Sequence, residues 1–113
     1  MEGTTFTVEC PFPAFSGEYR MKLLGSHQVI NAMLAMAVAV ELGLSREQIA
    51  AGLAAAQPAK MRLQLRAATE PKGLHVLDDT YNANADSMLA ALETLRDLPC
   101  TGRRVAVLGA MAE

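Results

Sequence analysis

The chain has 113 residues, 51% apolar and 19% charged, with a formal net charge of -2. This is the balance of a globular chain with a core, not of a disordered or collagenous one. Its scattered Lys and Arg residues make no basic field for a nucleic-acid backbone, so no nucleic acid is expected as a partner.

Residues 5–10 alternate, with Phe6, Val8 and Cys10 against Thr5, Thr7 and Glu9, and so do residues 19–23. With PFPAFSG between them, they read as a hairpin with a longer loop. GSHQVINAMLAMAVAVELGL follows, a helix that Ser26 can cap and Gly43 can end; its Ala, Met, Val and Leu content predicts burial nearly all round. Ser45 and Gln48 have capping-box spacing, and Leu44 and Ile49 the spacing of a hydrophobic staple, so a second helix is expected from about Arg46 to Ala55. Pro58 stops it.

Leu63 and Leu65 then alternate with Gln64 and Arg66, and TEPKG turns the chain into a short strand, Leu74 to Asp78. Asp86 to Leu98 is amphipathic through Met88, Leu89, Leu92 and Leu95, and RRVAVLG reads as a buried strand. Strand, helix, strand implies a βαβ unit with parallel pairing, whose two faces both need cover. The expectation is an α/β chain in two partial domains joined near residues 58–62. The longest apolar run, Ala32 to Val40, is far short of the ~20 residues that cross a bilayer, and MEGTTFTVEC lacks the pattern of a leader. Neither membrane insertion nor export is expected. Cys10 and Cys100 have no metal-site or disulfide-framework spacing and read as reduced thiols in a cytoplasmic protein.

Two polar stretches stand out from this apolar background. DDTYNANADS, residues 78–87, lies where a strand of a doubly wound sheet gives way to its helix, the position at which such sheets bind ligands. Asn84 can cap that helix, whose first N–H groups favour an anion, and Asp79 can accept hydrogen bonds from sugar hydroxyls. The same residues also serve simply as turns and caps. His27 and Asn31, four apart, share one helical face, and Asn31 is the only polar side chain between Gln28 and Glu41. Such an amide either bonds a neighbouring loop or faces a cleft.

GSHQVINAMLAMAVAVELGL, MRLQLR and LDDTYNANADSMLAALETL together resemble the Mur ligase family, and within it the branch that adds D-alanyl-D-alanine. The DDTYNAN run followed by Ser87 and Met88 is the most specific marker. The resemblance implies a cytoplasmic, ATP- and Mg2+-dependent amide ligase of peptidoglycan precursor synthesis. Such an enzyme joins D-alanyl-D-alanine to UDP-N-acetylmuramoyl-tripeptide through an acyl phosphate.

In that frame residues 1–58 are the end of the central ATP-binding domain and 59–61 a hinge. Residues 62–113 then begin a Rossmann-like, parallel-sheet C-terminal domain. Asn31 would lie against adenine with His27 close by, Arg62 would reach ribose or phosphate oxygens, and Asp79 would hold the ribose hydroxyls. Tyr81, Asn82 and Asn84 would line the same cleft, which would be exposed and unsatisfied without nucleotide. Gln28 and Ala110 depart from the family's pattern. No G-x-x-x-x-G-K-[ST] loop occurs, so no catalytic or metal-binding residue is assigned. The chain alone is expected to be inactive, the remainder of the polypeptide being its natural partner. The alternatives are another ligase of the superfamily, such as a folylpolyglutamate-type enzyme, and a binding module without catalysis.

Overall fold

The computed structural model describes residues 3–111. The outermost ends of the two expected domain segments, residues 1–2 and 112–113, lie outside the described residues. Contacts divide the chain between Gln57 and Pro58 into two compact units.

The first unit begins with strands β1 (Thr4–Val8) and β2 (Gly17–Met21), paired antiparallel with Phe6 opposite Tyr19 and Val8 opposite Gly17. The strands end earlier than the alternation of residues 5–10 and 19–23 suggests, because the connecting loop closes on itself. Cys10 N–H donates to Ser16 Oγ and Ser16 Oγ–H to Cys10 O, each at 3.2 Å, around a short 3-10 turn at Pro13–Phe15. Helices α1 (Ser26–Glu41) and α2 (Arg46–Ala55) complete the unit.

The boundaries of these helices follow local chemistry. Leu44 N–H reaches Ala39 O at 3.0 Å and Gly43 N–H reaches Val40 O at 2.9 Å, the paired bonds of a Schellman end; Gly43 supplies the positive φ of 78° that this requires. Ser45 then caps α2. Its hydroxyl accepts from Gln48 N–H while Gln48 Oε1 accepts from Ser45 N–H at 2.8 Å, the expected capping box. The Glu47 carboxyl in that first turn is held below its ordinary pKa by its backbone hydrogen bond, and next by Ser45. At the start of α1 the expectation fails: Ser26 is the first helical residue, and the cap position is Gly25, with no side-chain cap bond.

Val8, Tyr19, Met36 and Ile49 form the core, with Phe6, Phe15, Val40 and Leu53 packed around them. Each such large side chain withdrawn from water contributes roughly 1.5–3 kcal/mol. Tyr19 is the centre, stacked on Phe6 and also reached by Arg46, whose guanidinium carbon lies 5.2 Å from the ring centroid. Helix α1 is not buried all round. Ala32 and Met36 face the core, whereas Ile30, Leu34, Val38 and Leu42, spaced by four, form an exposed apolar face. Within this unit the small hairpin and α2 cover only one side of a helix whose composition is apolar on every side.

The second unit holds β3 (Gln64–Ala67), β4 (His75–Asp78) and α3 (Ala85–Asp97). Here β4 pairs antiparallel with β3, Leu77 opposite Leu65 and Val76 opposite Arg66. The expected parallel pairing of this segment with residues 103–109 does not form among the described residues. Residues 103–109 make no ladder, and Val107 is 93% exposed. Parallel strands persist where both faces are covered, and this unit has one helix to offer. The described residues are thus mixed α/β, with two separate antiparallel hairpins and three helices.

Helix α3 starts where Asn84 caps it, its Oδ1 accepting from Ser87 N–H at 2.8 Å while Ser87 Oγ accepts from Asn84 N–H at 3.1 Å. Asn84→Ala should therefore cost about 1 kcal/mol in the unfolding of this unit. Denaturant titration followed through α3 amide signals checks this, and an unchanged midpoint would show that the cap is redundant.

Candidate functional site

Three of the expected site residues of the second unit, Arg62, Asp79 and Tyr81, come together at the carboxyl end of β4. Three contacts tie the loop after β4 to the segment before β3. Asp79 Oδ1 accepts from Leu63 N–H at 3.0 Å, and Tyr81 N–H donates to Met61 O at 3.2 Å. The Arg62 guanidinium carbon lies 4.3 Å from the centroid of the Tyr81 ring, a cation–π contact. Arg62, Asp79 and Tyr81 thus form one cluster.

The backbone that presents Arg62 is strained. Met61 and Leu63, on either side of it, have φ of 61° and 44°, the left-handed region that costs a residue with a Cβ roughly 1–2 kcal/mol. Leu63 is nevertheless buried, and it stands before β3 instead of within it as the alternation suggested. No periodicity signal reports a left-handed residue, so this geometry was not legible beforehand.

The loop is exposed at Tyr81, Asn82 and Asn84, and half-buried at Asp79. It is not unsatisfied, contrary to expectation. Besides Asp79, Asp78 Oδ1 accepts from the Thr80 hydroxyl at 2.8 Å and from Thr80 N–H at 3.2 Å, and its Oδ2 lies 3.8 Å from Arg66. The Asn84 side-chain oxygen is engaged by its cap. Turn and cap chemistry therefore describes Asp78 and Asn84 as they stand. Arg66, which pairs with Asp78 and also bonds Gln64, was not singled out in the sequence; its place opposite Val76 depends on the hairpin register.

His27 and Asn31 belong to the first unit, on the first turns of α1. Asn31 is exposed, and its Nδ2 donates to Gln28 Oε1 at 3.2 Å, so the amide bonds a neighbour on its own helix and not a loop. His27 is half-buried, and its Nδ1 is shielded from solvent with no hydrogen-bond partner. A buried polar atom left in that state costs ~1–3 kcal/mol. Among the described residues, no three of His, Cys, Asp and Glu are gathered as metal ligands, both cysteines are free, and no helix is long and apolar enough to cross a membrane.

Residues 61–113 match the family described as Mur ligase, glutamate ligase domain. The UDP-N-acetylmuramoyl-tripeptide–D-alanyl-D-alanine ligase of Mycobacterium tuberculosis (strain H37Rv) is 48% identical over 100 residues, 85% of this chain and 19% of that protein. The ligase of the same name from Escherichia coli (strain K12) is 40% identical over 98% of this chain and 23% of its own length. The crystal structure of MurF from Acinetobacter baumannii superposes with a TM-score of 0.67 at 43% identity, over 74% of this chain and 18% of that one. The chain thus spans about a fifth of the length of the curated relatives it matches. The likeness to the Escherichia coli ligase over 98% of this chain, the DDTYNAN loop at the end of β4 and the superposition onto a solved MurF together lead to one conclusion: residues 61–113 carry the Mur ligase, glutamate ligase domain, and the chain is similar to part of a MurF ligase.

Proposed function

We propose that this chain is the part of an ATP-dependent amide ligase that spans the end of its central domain and the start of its C-terminal domain. The ligase adds D-alanyl-D-alanine to UDP-N-acetylmuramoyl-tripeptide in the cytoplasm, for peptidoglycan. In this reading residues 1–58 belong to the central domain, 59–61 are the hinge and 62–113 open the C-terminal domain. The observation that carries it is the convergence of Arg62, Asp79 and Tyr81 at the carboxyl end of β4, within a sequence whose relatives bear this activity in their names.

The chemistry of that cluster suits a nucleotide. A carboxylate accepts two sugar hydroxyls, a guanidinium meets ribose or phosphate oxygens, and an exposed aromatic ring offers a flat apolar face. The family resemblance assigns His27 and Asn31 to the base. Asn82 and Asn84 would line the cleft, Asn84 through its amide nitrogen, since its oxygen holds the cap. ATP supplies the activation of the acceptor carboxylate toward the amine; this chain's residues bind and orient. Magnesium is not assigned to them, because no acidic cluster fit to hold it occurs among the described residues. By itself the chain should not turn ATP over, since its sequence has no phosphate-cradling loop.

The test is a hybrid in which this chain replaces the aligned segment of the Mycobacterium tuberculosis relative. The hybrid should form the amide product with D-alanyl-D-alanine in an ATP-dependent reaction. A folded hybrid that binds the muramoyl tripeptide yet makes no product would overturn the assignment.

A further inference from the structure

We propose that Asp79 is a positioning residue for Arg62. By accepting the Leu63 N–H it latches the backbone of residues 61–63, left-handed at Met61 and Leu63, and holds the Arg62 guanidinium over the Tyr81 ring, before any ligand is present.

Three contacts converge on three consecutive residues: the Asp79–Leu63 bond of 3.0 Å, the Tyr81–Met61 bond of 3.2 Å and the stacking of Arg62 at 4.3 Å. A left-handed conformation at Met61 and again at Leu63 does not persist on its own, because each Cβ crowds the neighbouring backbone. Something outside the segment must hold it. Of the three contacts, only the carboxylate's is made by a charged acceptor, the stronger kind of hydrogen bond. It also spans 16 positions of sequence, so it joins two stretches that local preference would not bring together.

Arg62 is itself exposed, with long side-chain freedom to lose; fixing the backbone on both sides and laying the guanidinium on a ring removes that freedom in advance. The carboxylate would thus have two tasks at once, Oδ1 on the Leu63 N–H and Oδ2 toward a ligand. The second task rests on the function proposed above. The first does not.

The experiment uses the whole 113-residue chain without nucleotide, so its failure and the failure of the ligase reading are distinguishable. Amide hydrogen exchange at Leu63 and the ring-current shift of the Arg62 δ-protons are recorded by NMR for the unaltered chain, Asp79→Asn and Asp79→Ala. The unaltered chain should protect the Leu63 amide and show the Arg62 shift. Asp79→Asn keeps an acceptor oxygen and should retain both, with exchange faster by no more than about threefold, whereas Asp79→Ala should speed exchange about tenfold or more and abolish the shift. The α3 amides report whether the unit stays folded in each variant. Fast Leu63 exchange in the unaltered chain overturns the latch whatever the variants do, and so does an Asp79→Ala protein that keeps the Arg62 shift.

Discussion

Tyr19→Ala is expected to unfold the first unit, with a loss of ~3–5 kcal/mol. Tyr19 is the most completely buried large side chain, 2% exposed, and three separate contacts meet on it. Its ring stacks on Phe6 with centroids 6.0 Å apart, Arg46 lies over it, and its hydroxyl donates to Phe15 O at 2.7 Å. Truncation leaves a cavity at the meeting point of β1, β2 and α2 and strips Phe15 O of its donor. The loss is large for a unit of this size, since small domains hold little stability in reserve. Tyr19→Phe separates the parts: it keeps the ring and removes only the hydroxyl, at about 1 kcal/mol. Denaturant unfolding monitored at α1 and α2 measures both, and a Tyr19→Ala loss below that of Tyr19→Phe would show that the ring is not the keystone of this core.

In the hybrid ligase, Asp79→Asn is expected to lower kcat/KM for ATP by about one to two orders of magnitude, ~1–3 kcal/mol. Asparagine has the same shape and retains an oxygen for Leu63 N–H, so the segment before β3 should stay in place. What it loses is the charge and half the acceptor capacity toward two hydroxyls. Affinity for the muramoyl tripeptide, measured on the same protein, should not change. Wild-type ATP kinetics together with a lowered Tm would assign Asp79 to the architecture of the turn alone.

The two predictions draw on different kinds of legibility. The burial of Tyr19 was implicit in the alternation of residues 19–23, because a strand with one covered face puts every second residue inward. The role of Asp79 was suggested by its place after a strand and by family resemblance, but its bond to Leu63 was not. That contact exists because β3 and β4 pair antiparallel, and the spacing of 74–78 and 103–109 had pointed to a parallel partner instead. Asn31 shows the reverse case. As the lone amide in an apolar helix it promised a partner in a neighbouring loop or a place facing a cleft, and the bond it makes is to Gln28 on its own helix.

The sequence by itself determined where α2 and α3 begin and where α1 ends, since caps are made between residues three to five apart. Ser45 with Gln48, Asn84 with Ser87, and Gly43 after α1 need nothing from the rest of the chain. The tertiary structure decided which side of α1 is covered, which strand β4 takes as its neighbour and the left-handed turn at Met61 and Leu63. A helix apolar on all sides carries no record of which face will be buried, and a short strand with apolar residues on both faces can pair in either direction. Only the segments that come to lie against them, far away in sequence, make that choice.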